Sequence, residues 1–329
     1  MARVTIKDIA REAGVSISTV SNALNGVDVL KPETREHILE VADRLNYIPN
    51  LNGKNLKSKS TKTIGLFVTS LKGPYFATLV DMMVQECMKY GYELNIFVTR
   101  DARSAIAGIM GNRVDGCVIF SDGIDDSAIE QIKREKVPVV FLDREVKSEK
   151  VSSVTFDSYK DAESVAMHLI ERGIRDIAFI EGISYNHDAI ERSKGFRDGL
   201  AKAGIVLSPE YILQGEFERE IAYDAVKDFL KKGFPLPKAF FAANDLSAIG
   251  CMDALLEEGY EIPADTIVIG VDDIEYCQWY NPTLSTVKTG YEKQAIVVIN
   301  KLIKMINEEE TGEIIKLHGL LIERQSSAI

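Results

Sequence analysis

Cysteine is scarce and scattered. Cys87, Cys117, Cys251 and Cys277 form no CxxC pair, which excludes a disulfide framework or a zinc site built on such pairs and leaves buried reduced thiols as the expectation. No window approaches the roughly 20 apolar residues of a membrane span, and the opening MARVTIKD lacks an apolar signal core. A cytoplasmic protein with no membrane partner is expected. His37, His168, His187 and His318 have no metal-binding spacing, so no metal and no cofactor are expected. There is no GxGxxG after the first predicted strand, no phosphate loop of the GxxxxGKS or GxxxxGKT type, and no GxSxG elbow, which removes the commonest enzymatic readings. The carboxyl-terminal end carries no sustained leucine heptad, so no coiled-coil assembly tail is expected.

What is present is a soluble composition, 46% hydrophobic and 27% charged over 329 residues, enough for two or three units with substantial cores. The net charge of −11 argues at first against nucleic acid, but it is unevenly spread. Residues 1–62 hold ten basic against seven acidic residues, and the rest of the chain 29 against 43. No acidic residue lies between Asp43 and Asp81, a stretch that contains Arg44, Lys54, Lys57, Lys59, Lys62 and Lys72. A phosphate backbone would be attracted there.

Residues 5–24, TIKDIAREAGVSISTVSNAL, read as a helix-turn-helix. Small Ala10 lets two helices approach, Gly14 tolerates the positive φ of a tight turn, and Val20 points back into a small core. Thr5 with Asp8 three residues on can cap a helix from Ile6 to Ala13, and Ser16 can cap the next, ending near Leu24. Pro32 opens a third helix with Ile38, Val41, Ala42 and Leu45 on one face. After Pro49 a polar, basic connector follows, with Leu56 as its isolated apolar residue.

From Thr63 short apolar runs alternate with longer helical patterns, the signature of parallel βαβ units. IGLFVT, YELNIFV, GCVIFS and PVVFLD form one series, and DIAFIEG, YILQGE, AFFAAN and TIVIGVDD a second, with helices between. The expected fold is an all-α helix-turn-helix headpiece followed by an α/β core of two open parallel-sheet subdomains. From Gly290 an amphipathic helix precedes a strand-like IIKLHGLLIER.

In order and spacing, TIKDIAREAGVSISTVSNALNG, ETREHILEVADRLNYIPN, RVDGCVIF, RSKGFRDGL, FFAANDLSAIG and VIGVDDIEYCQWYNPTLSTV resemble the lactose-repressor (LacI/GalR) family of bacterial transcriptional regulators over essentially the whole chain. The resemblance implies a headpiece over 1–49, a hinge over 50–62 and an effector-binding and dimerisation core over 63–329, similar to type I periplasmic binding proteins. The core would divide into one subdomain of about 63–157 and 289–317 and another of about 158–288 and 318–329. It implies a repressor that binds a pseudopalindromic double-stranded operator as a homodimer, pairing through the helix from Tyr75 and the helices near 222–230 and 246–256. It also implies a small-molecule effector, a sugar or sugar derivative, between the subdomains, with induction and corepression both open. A purine- or nucleoside-responsive regulator is the alternative within the family. A sugar-binding receptor or an α/β enzyme is opposed by the headpiece and by the absences above.

The second helix of such a motif presents its N-terminal side chains to the major groove, so Ile17, Ser18 and Asn22 are the expected base readers. The other reading is that Ile17 packs and Ser18 caps. Thr5, Thr19, Ser21 and Asn25 suit the phosphates, and Ser16, Tyr47 and Asn50 complete the expected DNA-binding set. Asn22 departs from the arginine usual in the family and would pair with adenine rather than guanine. Leu56 matches the family's minor-groove wedge, and Gly53 costs the hinge helix ~0.5–1 kcal/mol relative to alanine.

By match to family motifs the effector residues would be Tyr75, Phe76, Asp122, Arg192, Phe217, Asn244, Asp245, Asp272 and Trp279. Aromatic faces suit the C–H surface of a sugar, and the polar groups suit paired hydroxyls. Arg192 would equally receive a phosphate or carboxylate. Phe76 and Phe217 also read as core residues, Asn244 and Asp245 as helix caps, and Trp279 as filler of the seam between subdomains. Asn186, His187 and Asp188 occupy a loop suited to setting which ligand is taken. The stretch TRDARSAIAGIMGNR is short for the family, predicting a shortened helix after the second strand.

Overall fold

The computed structural model describes residues 4–48, 60–99, 101–111, 113–121 and 123–328. Asn50, Gly53, Leu56 and Asp122, all singled out above, lie outside them. The chain divides into two compact units, one up to residue 60 and one from Thr61 onward.

In the first unit, helices α1 (Ile6–Glu12), α2 (Ile17–Leu24) and α3 (Pro32–Arg44) enclose Ile9, Ala10, Val20, Ala23, Ile38, Val41 and Ala42. Gly14 makes the turn between α1 and α2 at φ +67°. The Thr5 amide and hydroxyl both donate to the Asp8 carboxylate, at 3.0 and 2.7 Å, which fixes the start of α1. The start of α2 rests on Ser16, whose Oγ accepts the Thr19 N–H at 3.1 Å. An N-cap serine of this kind is worth ~1 kcal/mol. Ser16→Ala in the full chain should therefore lower the melting temperature of the headpiece transition by a few degrees, with the core transition unchanged in a calorimetric scan.

The second unit is built on two six-stranded sheets. The first comprises β1 (Thr63–Val68), β2 (Glu93–Val98), β3 (Gly116–Phe120), β4 (Val139–Phe141), β5 (Val151–Phe156) and β11 (Ile314–Leu317), all parallel, in the order β11-β5-β4-β3-β1-β2. The second comprises β6 (Ile177–Glu181), β7 (Ile212–Gln214), β8 (Ala239–Ala242), β9 (Ile267–Val271), β10 (Ser285–Lys288) and β12 (Leu320–Ile322), in the order β12-β10-β9-β8-β6-β7. Helices cover both faces, so the central strands are continuous apolar runs. On the first lobe α4 (Pro74–Lys89) packs beside α11 (Tyr291–Ile306), and α5 (Ala102–Met110) beside α6 (Asp126–Arg134). On the second, α7 (Ser158–Glu171) packs beside α8 (His187–Ala201), and α9 (Arg219–Lys231) beside α10 (Asp245–Glu257). Helix α5 has nine residues, the same length as α6.

The chain passes between lobes three times: from β5 to α7, from β10 to α11, and from β11 to β12. The structure departs from two wholly parallel sheets in one strand, because β12 runs antiparallel to β10. Only His318 and Gly319 separate β11 from β12, so the chain leaves the edge of the first sheet and enters the second beside β10 within two residues. The predicted single strand IIKLHGLLIER is thus two strands in different sheets.

Candidate functional site

The C-terminal ends of both sets of strands face a cavity of about 480 Å³ shared by the two lobes. Open α/β sheets place ligands at such ends. From the first lobe, Tyr75 and Phe76 in the opening turn of α4 meet edge to face at 5.2 Å, and Phe120, the last residue of β3, lies 5.1 Å from Phe76, forming an aromatic wall. The Tyr75 hydroxyl donates to Gln294 Oε1 at 2.8 Å, and Gln294 Nε2 donates to the Val154 carbonyl at 3.0 Å, so the wall is anchored from beneath. Burial, with Asp188, Asp272 and Asp143 nearby, pushes the Tyr75 hydroxyl well above its usual pKa.

The second lobe supplies the charges. Arg192, only 4% exposed, donates from Nη1 to the Ala243 carbonyl and from Nη2 to Ser158 Oγ at 3.4 Å, while its buried Nε has no protein partner among the described residues. The Ser158 hydroxyl in turn donates to Asp188 Oδ1 at 2.9 Å. Burial raises the Asp272 carboxyl well above the carboxylate range, with Arg192 opposing and Asp245 and Asp188 adding to the rise. Phe217 lies against the backbone of Gly182, where a Cβ would stand 2.4 Å from its ring; only glycine permits that approach. Asn244 both caps α10, accepting the Ser247 N–H at 2.9 Å, and donates to the Phe217 carbonyl at 3.0 Å, so it positions the Phe217 turn as well as lining the cavity.

Tyr75, Phe76, Arg192, Phe217, Asn244 and Asp272 are therefore brought together, and Asp245 and Trp279 are not. Asp245 is fully buried and spends its carboxylate inside the second lobe, on the Ile274 N–H at 2.9 Å, the Cys277 thiol at 3.0 Å and the Thr286 hydroxyl at 2.5 Å. Trp279 stands 75% exposed, neither in the cavity nor filling a seam. Thr69, Ser70, Lys72, Glu216 and Glu218 line the cavity without having been singled out. Thr69 and Ser70 follow directly on the end of β1, which is the signal that would have found them. Asn186 caps α8 through the Ala189 N–H at 3.1 Å; His187 and Asp188, expected in a loop, form the first turn of that helix, and Asp188 lines the cavity.

At the junction of the lobes Asp161, 6% exposed, accepts the Gly319 N–H at 3.0 and 3.1 Å. Burial pushes its carboxyl up to about 6, with Asp157 adding to the rise and Gly319, Arg192 and His318 opposing it. A pKa raised on folding contributes stability that is complete below the unfolded value, near 3.8, and is lost as pH rises through about 6. Asp161→Asn should accordingly gain on the wild type between pH 4 and 7, by about 2–4 °C in melting temperature for each 1 kcal/mol recovered. Asp245, likewise raised to about 6, still titrates in the variant, so the pH dependence flattens without vanishing.

In the headpiece, Ile17 is 47% exposed and Ser18 is exposed beside it. Ser18 is not the cap, since Ser16 takes that place and pairs with Ser18 Oγ and Thr19 Oγ1 at 2.7 Å each. Asn22 is half-buried, with no hydrogen bond from its side chain to another described residue. Asn25 Nδ2 donates to the Ser21 carbonyl at 2.7 Å, and Tyr47 packs on the headpiece core.

Two family models match the chain. "Bacterial regulatory proteins, lacI family" covers residues 5–50, and "Periplasmic binding proteins and sugar binding domain of LacI family" covers residues 61–322. Among curated proteins, the chain is 35% identical over 312 residues to a probable HTH-type transcriptional repressor, ExuR, of Bacillus subtilis (strain 168), covering 94% of this chain and 93% of that one. It is 34% identical over 331 residues to the HTH-type transcriptional repressor PurR of Erwinia tasmaniensis, covering 98% and 97%. Among solved structures, the lac repressor dimer bound to operator and the anti-inducer ONPF is similar with a TM-score of 0.87 and 25% identity, over the whole of both chains.

Proposed function

The chain belongs to the lacI family of bacterial regulatory proteins and is a DNA-binding transcriptional repressor with an effector-binding core, not an enzyme; we propose that its effector is a sugar or sugar derivative held in the cavity between the lobes. The observation that carries this is the division of labour across the cavity: an aromatic wall of Tyr75, Phe76 and Phe120 on one lobe, and Arg192, Asp188 and Asp272 on the other. Rings cover the C–H faces of a pyranose while carboxylates and a guanidinium take its hydroxyls. A ligand that touches both lobes shifts their closure by its differential affinity for the open and closed states.

On the DNA side the reading is a homodimer on a pseudopalindromic operator. Ile17, Ser18 and Asn22 face bases, while Thr19, Ser21 and Asn25 lie against phosphates. The Thr5 hydroxyl proton is already given to Asp8, so Thr5 would act through its oxygen or backbone. Dimer pairing through α4 is supported by the exposed Val84 and Met88 on that helix and Ile96 and Val98 on neighbouring β2, and pairing through α9 and α10 by the exposed Ile221 and Leu256.

The effector is tested by thermal shift on the full chain with aldoses, sugar acids, sugar phosphates and nucleobases. A saturable rise with one sugar class is expected, about 2.7 kcal/mol at a hundredfold excess over Kd. A response to nucleobases alone would replace the sugar reading.

A further inference from the structure

Asp272 and Asp273 have φ of +122° and +60°, backbone that residues other than glycine rarely adopt. Such a turn persists only where its surroundings over-determine it. Most of those surroundings belong to the second lobe. The Asp272 N–H donates to the Val287 carbonyl at 2.9 Å, the Asp273 N–H to Thr286 Oγ1 at 3.3 Å, and the Ile274 N–H to Asp245 Oδ2 at 2.9 Å. Arg324 Nη2 donates to Asp273 Oδ1 at 2.6 Å.

One anchor comes from the first lobe. The Tyr291 hydroxyl donates to the Asp273 carbonyl at 3.3 Å. Tyr291 is 7% exposed and opens α11, whose apolar face is part of the core beneath the first sheet. Its ring meets that of Tyr75 at right angles, 5.9 Å between centroids, and Tyr75 is bonded to Gln294 on the same helix. Tyr291 therefore touches the turn that carries the cavity's most perturbed carboxylate and the tyrosine that forms the opposite wall, without lining the cavity itself.

We propose that Tyr291 is a positioning residue that ties the strained Asp272–Asp273 turn to the first lobe and reports engagement of Asp272 to helix α11 through its hydroxyl. The proposal deepens the effector reading above and rests on it for the identity of the signal, but the tie itself is a property of the ligand-free chain. A ligand drawing on the Asp272 carboxylate turns the following peptide, and the Asp273 carbonyl that Tyr291 holds moves with it. Coupling of this kind is reciprocal, so disturbing either end must be felt at the other.

The test is hydrogen–deuterium exchange on the full chain without ligand, reading peptides over 270–275 and 291–297. Tyr291→Phe keeps the ring and removes the hydroxyl, and exchange over 270–275 should quicken by about fivefold or more. Asp272→Asn should change exchange over 291–297 severalfold. Changes below about twofold in either peptide overturn the proposal. So does a result in which only Tyr291→Leu, which also deletes the ring, has an effect, since the residue would then act by packing alone. Because no sugar is added, these outcomes are independent of the thermal-shift screen, whose failure would remove the effector reading and leave the tie standing.

Discussion

Arg192→Ala should leave operator binding intact and abolish the response to effector. The guanidinium is almost wholly buried, fixed to the Ala243 carbonyl and to Ser158, and through Ser158 to Asp188. It is also the cation that opposes the rise in the Asp272 carboxyl. Removing it takes away a buried donor that lines the cavity and leaves the Asp272 carboxyl without the cation that opposes its rise. Truncating one partner of a buried, charged hydrogen-bonded pair costs ~2–5 kcal/mol in binding, roughly 30-fold to several-thousandfold in Kd. Arg192→Lys should recover little, because a point charge on a flexible stem cannot serve the Ala243 carbonyl, Ser158 and a ligand from one plane. Calorimetric titration of both variants with whichever sugar stabilises the wild type gives the comparison, with the unliganded melting profile as the check on folding. A Kd for Arg192→Ala within about threefold of wild type would remove Arg192 from the site, since it corresponds to well under 1 kcal/mol.

The residues legible in advance were those whose role is local. Gly14, Thr5 with Asp8, and Ser16 announce a turn and two helix starts within a few positions of chain, and each does what its spacing implies. Two alternating series of apolar runs and helical patterns likewise suffice to expect two open sheets. Strand β5 was not anticipated because its sequence, VSSVTF, is half serine and threonine; it is nonetheless fully buried, with Ser153 bonded to Val146 and Ser152 to Glu313. Those partners are set by tertiary packing, which no local pattern carries. Asp245 shows the same limit within the site. Next to Asn244 at a strand end it reads as a ligand contact, yet the donors that claim it, on Ile274, Cys277 and Thr286, lie 29 to 41 residues away in sequence. Its carboxylate holds the turn behind Asp272 instead of facing the cavity. Glu216 and Glu218 escaped notice for the opposite reason, since charged residues beside a turn are ordinary in sequence and only the fold brings them to the cavity rim.

The largest change in specificity is expected at Asn22. Asn22 lies one turn beyond Ser18 on α2, while Val20 and Ala23 turn inward to the headpiece core. Its side chain is hydrogen-bonded to no other described residue, so its amide is free to pair with a base edge. An asparagine in the major groove matches adenine N6 and N7, whereas an arginine forks onto guanine O6 and N7, each pair discriminating by ~1–3 kcal/mol. In a homodimer the same substitution acts at both half-sites, so Asn22→Arg should move preference by ~2–6 kcal/mol in total, from adenine to guanine at one symmetry-related pair of positions. The added positive charges tighten binding to every sequence through the phosphates. The decisive measurement is therefore the ratio between sites, not the affinity for one. Selection from random duplex DNA with the two full-length proteins, at the same salt, supplies it. Adenine recovered by the wild type and guanine by Asn22→Arg, with all other positions unchanged, is the expected pair of outcomes. Identical preferences from both proteins would mean that Asn22 does not face a base, and that Ile17 and Ser18 carry the readout of α2 between them.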